Sequence, residues 1–191
     1  MAEKYKENLL FKPVEKVAFA VKQASLAAKR ARKSFPVGKY TGLMDNVQGT
    51  YKSTLGDLGT VTTPYGGSTR YEKVHPGIDI ANKIGTIIPS FLGGKVTAVE
   101  TGRRQGERGY GNYVIITDQY GGKHRYSHLS QSYVKVGQDV QTGAPIGAMG
   151  ATGQTYSLTG GTGSHLDYRI LDAYNRYINP VAYISKYKNI I

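Results

Sequence analysis

Short alternating strands dominate the chain from about residue 58 onward. Apolar and polar positions alternate with a period of two, and glycine-rich turns separate the runs. The clearest strand patterns are KVTAVE (95–100), NYVIITDQY (112–120), HRYSHL (124–129), SYVKV (132–136) and SHLDYRI (164–170). In the last of these, His165 and Asp167 share one face, and Leu166, Tyr168 and Ile170 share the other. The pattern predicts a mostly β domain.

The first 57 residues have a different pattern. Between residues 13 and 33 the apolar positions recur at helical spacing, Pro13 suits a first helical turn, and Lys29–Lys33 is a basic cluster that suits a C-terminal turn. We therefore predict a basic N-terminal α-helix over 13–33. Residues 38–58, rich in Gly, Thr, Ser, Asn and Asp, are predicted to form a linker or an arm lying on the domain. The chain divides into an extension (1–57) and a β domain (58–191), which ends after Pro180 in a short helical or irregular cap.

The chain is basic and contains no cysteine. Its 191 residues carry a formal net charge of +12 and its pI is about 9.7. The absence of cysteine excludes disulfides, thiolate zinc sites and cysteine nucleophiles. The charge favours an anionic partner such as acidic lipid, wall polymer or nucleic acid. No nucleic-acid-binding motif accompanies the charge, so we expect no nucleic-acid partner. The predicted helix could equally pack on its own domain or on a neighbouring subunit.

Candidate chemistry centres on the four histidines. His75 precedes Asp79 by four residues, so in an extended segment both side chains face one way and each can offer one metal ligand. This spacing alone is weak evidence, because a surface histidine near an aspartate is common. In HRYSHLS the strand is too long for His124 and His128 to reach one metal ion. His128, at the strand end, is better placed to face a cleft. His124 is predicted to be exposed or partly packed, and Tyr126 to be a core or groove-wall residue.

The order of several segments resembles a known family. These segments are VTTPYG, HPGIDIA, GTIIPSFLGGKV, GYGNYVIITDQYGG, YSHLS, VGQDVQTGAPIGAMGATG and GSHLDYRI. Over about residues 58–185 the chain resembles the lysostaphin-type metallopeptidases, the M23 or LytM-like family. The resemblance implies a small antiparallel β-sheet metallopeptidase domain with a narrow groove. It also implies a zinc endopeptidase that cuts peptide cross-bridges or stems of bacterial peptidoglycan.

The resemblance assigns a role to each candidate residue. It implies that His75 and Asp79 are metal ligands and that His128 and His165 are catalytic. The position of the family's third ligand, a histidine, holds Asp167. Zn²⁺ with one neutral histidine and two carboxylates sums to zero charge, whereas two histidines and one carboxylate leave +1. Carboxylate also favours harder metals such as Mn²⁺, Mg²⁺ or Ca²⁺. We therefore predict a metallo-endopeptidase that retains activity, with an inactive wall-binding or structural domain as the alternative.

Other segments suggest how the domain is used. The insert QTYSLTGGT (154–162) and the loop bearing Arg103, Arg104 and Arg108 are expected to border the groove. No apolar run long enough to span a membrane and no secretory signal is visible. Because peptidoglycan lies outside the cytoplasm, we expect an extracellular or virion-associated, phage-encoded protein that docks through residues 1–57 to other tail proteins or is released at lysis. A mature chain whose signal has been removed is the rival interpretation.

Overall fold

Two antiparallel sheets and two helices make up the part of the chain that the structure describes. The structure is a computed structural model and describes residues 44–157 and 159–188. In chain order, the elements are α1 (Met44–Leu55), β1 (Thr60–Thr63), β2 (Ile78–Ala81), β3 (Ile87–Pro89), β4 (Gly94–Glu100), β5 (Tyr113–Thr117), β6 (Lys123–Ser127), β7 (Leu129–Ser132), β8 (Asp139–Val140), β9 (Pro145–Met149), β10 (His165–Leu171), β11 (Tyr177–Ile178) and α2 (Pro180–Tyr187).

Strand β10 is the strand on which the site depends. The larger sheet has the order β1-β2-β10-β6-β5-β4-β8, with β11 pairing to β10, and the smaller sheet has the order β3-β9-β7. Strand β10 therefore pairs with β2 on one side and with β6 on the other, both antiparallel. The predicted mostly β, antiparallel fold is confirmed.

One face of the large sheet builds the hydrophobic core. Leu166, Tyr168 and Ile170 of β10 are fully buried there, as the alternation in the sequence predicted. Ile80 of β2 and Ile116 of β5 lie in the same cluster. The neighbouring positions of β10, β2 and β6 point to the opposite face, because side chains alternate along a strand. That opposite face carries the candidate chemistry.

Helix α1 corrects the expectation of a linker or arm over residues 38–58. The segment is rich in residues of low helix propensity, but its helix buries Tyr51 and Leu55 in the core. The hydroxyl of Tyr51 also accepts a hydrogen bond of 2.8 Å from the backbone N–H of Leu58. Tertiary packing thus overrides weak local propensity. The predicted helix over 13–33 lies outside the described residues.

Two strand predictions need correction near His128. The run HRYSHL is not one strand, because His128 has a φ of 63° and separates β6 from β7. The run SYVKV is not a strand beyond Ser132, where β7 ends. A positive φ is uncommon outside glycine, so the alternation of side chains cannot pass through this residue. The expected C-terminal cap is helix α2, with Asn179 accepting N-cap hydrogen bonds from the amides of Val181 and Ala182.

His124 is a core residue, and the expectation that it would be exposed or partly packed is wrong. Its ring is fully buried, with Nε2 2.9 Å from Oδ2 of Asp118 and Nδ1 2.6 Å from the hydroxyl of Tyr168. The hydroxyl of Tyr183 donates to the same carboxylate oxygen of Asp118. Tyr126 is also buried, and its hydroxyl accepts from the N–H of Phe91, so it is the core tyrosine that was expected.

Neither of the two described helices, α1 and α2, is long and apolar enough to cross a bilayer.

Replacement of Asp118 should reveal how much this buried network stabilises the fold. Burial alone would raise the pKa of Asp118, but His124, the Gly122 amide and Tyr183 outweigh it and hold the pKa below its usual value. We expect Asp118→Asn to lower the free energy of unfolding by about 2–4 kcal/mol at neutral pH, because a buried, hydrogen-bonded charge is lost. The measurement is urea unfolding followed by circular dichroism.

The pH dependence of that loss is fixed by the direction of the pKa shift. A depressed folded-state pKa gives stability that is present above the unfolded pKa of about 4 and is lost as the pH falls through the folded value. The difference between wild type and Asp118→Asn should therefore narrow below about pH 4. Asp139→Asn is the control, because the side chain of Asp139 is exposed and forms a surface ion pair with Lys95. An equal loss in both variants would contradict the prediction.

Candidate metal centre and active site

Strand pairing brings the candidate residues together. Asp167 in β10 lies directly opposite Asp79 in β2 on one side and Ser127 in β6 on the other. His128 follows Ser127, and its left-handed backbone redirects its ring relative to the strand. His165 begins β10, two residues before Asp167, and so shares its face. Residues far apart in the sequence therefore meet above the centre of one sheet.

His75, Asp79 and Asp167 form a group that could hold a metal ion. One ligand atom from each lies within 4.8 Å of the others, and all three side chains are buried. Nε2 of His75 is 3.1 Å from Oδ1 of Asp79 and 3.9 Å from Oδ1 of Asp167. Ligands bound at about 2.0–2.2 Å to one tetrahedral ion lie roughly 3–4 Å apart. The spacing therefore suits a zinc-sized ion.

Two of these atoms have no hydrogen-bond partner among the described residues. Nε2 of His75 and Oδ1 of Asp79 are buried, face each other, and are not in hydrogen-bonding geometry. Buried polar atoms are rarely left in this way, because the desolvation cost is about 1–3 kcal/mol for each. A cation between them would satisfy both, so the residues present fit the metal that the sequence analysis expected.

Glu72 fixes the orientation of the His75 ring. Its Oε2 lies 2.9 Å from Nδ1 of His75, so that nitrogen donates and Nε2 keeps its lone pair for a ligand when the ring is neutral. Burial would lower the pKa of His75, but Asp79, Asp167 and Glu72 outweigh burial and raise the pKa above its ordinary value. The same acidic groups would favour a cation beside the ring.

Arg169 binds the carboxylates of Asp167 and Glu72 on the outer side of the site. Its Nε donates to both carboxylate oxygens of Asp167, at 2.8 and 2.9 Å, and its Nη2 is 2.7 Å from Oδ2. Its Nη1 and Nη2 donate to the two oxygens of Glu72, at 2.8 and 2.9 Å. Burial would raise the pKa of Asp167, but Arg169 outweighs burial and holds the pKa below its usual range.

Two further histidine rings lie beside the metal group. The centroids of His128 and His165 are 4.6 Å apart, and Nε2 of His165 is 4.0 Å from Oδ1 of Asp79. Nδ1 of His128 is 2.7 Å from the carbonyl of Thr152, and Nδ1 of His165 is 2.8 Å from that of Gly163. Each Nδ1–H therefore donates to a carbonyl, which leaves each Nε2 with a lone pair when the ring is neutral. Burial and the nearby His165 lower the pKa of His128 to about 4.

These side chains line an open cleft of about 330 Å³. The inserted segment borders it, as expected. The ring of Tyr156 makes an edge-to-face contact with Tyr71 at 5.4 Å, and its hydroxyl accepts from the N–H of Arg70 at 3.2 Å. The arginines of the loop over 103–108 are exposed, and the same chain segment continues into Gly109 and Tyr110, which line the cleft.

Sequence reasoning missed Glu72 and Arg169. Arg169 lies two residues after Asp167 on the same strand, so alternation already placed both on one face. Glu72 lies three residues before His75, but nothing in its local sequence indicates that it meets Arg169. Gly77 was missed as well. A Cβ at this position would lie 2.6 Å from Cγ of Arg169 and 2.7 Å from the carbonyl oxygen of Tyr168.

The family profile of Peptidase family M23 matches residues 73–180, more than half of the chain. This chain belongs to Peptidase family M23. The matched range begins just before His75 and includes every candidate ligand and both cleft histidines.

Two curated relatives represent different kinds of family member. The chain is 39% identical over 99 residues to peptidoglycan DD-endopeptidase ShyA of Vibrio cholerae serotype O1, covering 51% of this chain and 20% of that protein. It is 31% identical over 128 residues to the murein hydrolase activator NlpD of Escherichia coli K12, covering 67% of this chain and 30% of that protein. The chain thus spans less than a third of the length of these relatives.

Solved structures of the family share the fold. A zinc-containing peptidase from Vibrio cholerae is 32% identical with a TM-score of 0.51, over 63% of this chain and 35% of that one. The catalytic domain of the prophage-encoded M23 protein EnpA from Enterococcus faecalis, solved as a point mutant, is 28% identical. Its TM-score is 0.52, over 63% of this chain and 87% of that one.

Removal of a ligand should abolish metal binding. We expect the wild-type chain to retain close to one equivalent of zinc after dialysis, and His75→Ala and Asp79→Ala to lose it, because two protein donors hold zinc weakly. The measurement is elemental analysis of the full chain, with circular dichroism to verify the fold. Asp57→Ala, which removes an exposed carboxylate paired with Lys52, is the control. Retention of zinc by both single variants would contradict the assignment.

Proposed function

We propose that this chain is a metal-dependent endopeptidase that acts on bacterial peptidoglycan. The observation that carries the proposal is the pair of buried, unpartnered atoms, Nε2 of His75 and Oδ1 of Asp79, which face each other beside Asp167 and the two cleft histidines. Membership of Peptidase family M23 supports the same chemistry.

The metal ligands are His75, Asp79 and Asp167, and Zn²⁺ is the expected ion, with another divalent metal as the alternative. Zn²⁺ held by one imidazole and two carboxylates would polarise the scissile carbonyl and activate a water for attack. Three protein donors leave a coordination position open, which is the arrangement that catalytic zinc sites use.

His128 and His165 are the groups that transfer protons and stabilise charge at the scissile bond. His128 is neutral at physiological pH, because its pKa is lowered to about 4, and its Nε2 can accept a proton from water. His165, beside Asp79, can return a proton to the leaving nitrogen or donate to the developing oxyanion. Backbone carbonyls fix both rings, so neither needs to reorient during the reaction.

Peptidoglycan is the substrate that the relatives favour. ShyA is a peptidoglycan DD-endopeptidase and NlpD is a murein hydrolase activator, so both act on the cell wall or on its hydrolases. The open cleft suits an extended peptide, with Tyr71 and Tyr156 as one wall. A protein that acts on the wall works outside the cytoplasm.

A second candidate function is a non-catalytic wall-binding or structural domain. Asp167 favours it, because both oxygens of this carboxylate already accept hydrogen bonds from Arg169. NlpD, whose name describes an activator, favours it as well. In this case the cleft would bind wall peptide without cleaving it.

A phage origin is the setting we propose for either function. The similarity to prophage-encoded EnpA supports it. The basic residues of the 1–57 extension would then attach the domain to other tail proteins, and the protein would reach the wall with the virion or at lysis.

Loss of either cleft histidine should stop hydrolysis without loss of metal. We expect His128→Ala and His165→Ala to slow the release of peptide from purified sacculi by about 10²–10⁴-fold, because a proton-transfer group is removed. Zinc content should stay unchanged in both variants. Wild-type activity equal to that of the two variants would contradict the enzymatic proposal.

The Asp167→His variant separates the two candidate functions. No hydrolysis by a zinc-loaded wild type, together with hydrolysis by Asp167→His, would favour the non-catalytic domain. Hydrolysis by the wild type would favour the enzyme.

Deletion of residues 1–43 tests the docking proposal, because it removes most of the 1–57 extension and keeps helix α1, which packs in the core. We expect the shortened chain to be lost from purified particles that retain the full chain, measured by immunoblotting. Limited proteolysis that removes 1–57 without loss of particle association would argue against it.

A further inference from the structure

Arg169 is a buried cation that forms ion pairs with Asp167, a candidate metal ligand, and with Glu72, the partner of His75. Its side chain is buried, with a total exposure of 4% for the residue. On one edge it forks onto Asp167, and on the other it forks onto Glu72, which in turn holds Nδ1 of His75. One guanidinium therefore contacts Asp167 directly and His75 through Glu72, on the side of these residues that faces away from the metal position.

The hydrogen bonds from Arg169 leave a lone pair free on Oδ1 of Asp167, the oxygen that faces the metal group. Oδ2 of Asp167 lies near both Nε and Nη2 of Arg169, at 2.9 and 2.7 Å, whereas Oδ1 accepts from Nε alone among the described residues. Oδ1 is also the oxygen that lies 3.9 Å from Nε2 of His75. A carboxylate has about four lone-pair positions, so Oδ1 can accept from Arg169 and still bind a cation.

The backbone is adapted to this arrangement. Gly77, between His75 and Asp79, is the point where the chain passes over Arg169 and the carbonyl of Tyr168, and a Cβ there would collide with both. The site thus combines a glycine just before β2 with a guanidinium on β10.

The positive charge of Arg169 balances the negative charge of Asp167. A neutral histidine as third donor would add no charge, whereas Asp167 adds −1 to a site that already contains Asp79 and Glu72. The guanidinium of Arg169 lies within 2.9 Å of Asp167 and returns +1. The pair together contributes the charge that a neutral imidazole would contribute.

We propose that Arg169 is a positioning residue for Asp167, which holds Oδ1 toward the metal and compensates the charge of this carboxylate donor. The inference rests on the proposed function, because it requires that Asp167 bind a metal. Its consequence is specific: loss of Arg169 should weaken metal binding more when residue 167 is an aspartate than when it is a histidine, where only the contact of Arg169 with Glu72 remains.

A double-mutant cycle on zinc affinity tests this. The four full-length chains are wild type, Arg169→Met, Asp167→His and the double variant, titrated with Zn²⁺ against a chromophoric chelator. We expect Arg169→Met to weaken zinc binding by about 10–100-fold when residue 167 is aspartate, as loss of a ligand's outer partner does. In the Asp167→His background the same change should weaken zinc binding clearly less, because the guanidinium has lost the Asp167 carboxylate and keeps only its contact with Glu72.

Two further variants separate position from general charge. Arg169→Lys keeps the charge but loses the fork, so it should also weaken binding, and it covers the case in which Arg169→Met fails to fold. Arg125→Met is the matched control. Arg125 lies directly opposite Arg169 in β6, stacks on the ring of Tyr110, and forms no ion pair with a described residue. Its removal should change zinc affinity by less than about threefold.

The outcomes distinguish this inference from the proposed function. No zinc binding by the wild type would overturn the metal centre, and this inference with it. Zinc binding by the wild type with equal losses in both backgrounds, or with no loss in Arg169→Lys and Arg169→Met, would overturn only the role of Arg169. A loss in Arg125→Met as large as that in Arg169→Met would also overturn it, because it would reduce the effect to long-range charge.

Discussion

Cross-strand pairing of Asp79 with Asp167 places two buried carboxylates in one site, and the surrounding groups are arranged to satisfy their charge. Two like charges at this distance in a desolvated site are unfavourable unless cations lie near them. Among the described residues, Arg169 supplies a cation on the outer side. On the inner side, the carboxylates raise the pKa of His75, and a metal ion there would compensate their charge.

The contacts that hold the site do not require a metal. Glu72 holds Nδ1 of His75, so Nε2 is the atom that faces the metal position. Arg169 does not need to move when a metal binds, because it contacts Asp167 and Glu72 on the outer side of the site. We therefore expect the sheet around β10 to be the same with and without metal, because two of the three ligands, Asp79 and Asp167, lie on paired strands.

Much of this site follows from local rules, and the rest does not. His165 and Asp167 share a face of β10, as alternation along a strand predicts. His75 and Asp79 meet at 3.1 Å, but not on one extended segment, because His75 lies in the bends that precede β2. The direction of the His128 ring depends on a positive φ at a residue other than glycine, which no alternation rule anticipates. The burial of His124 depends on partners that the fold supplies, Asp118 and Tyr168. The contact of Arg169 with Glu72 spans 97 residues and becomes visible only when β10 pairs with β2.

The hydrogen bonds that orient the proton-transfer groups do not involve the unusual third donor. Nδ1 of His128 and Nδ1 of His165 are held by the carbonyls of Thr152 and Gly163, and neither hydrogen bond involves Asp167 or Arg169. The exchange of imidazole for carboxylate at residue 167 therefore changes the charge and the metal preference of the centre, but it leaves the acid–base pair in place. For this reason the choice between an enzyme and a wall-binding domain depends on whether one carboxylate, held by one guanidinium, still binds a metal.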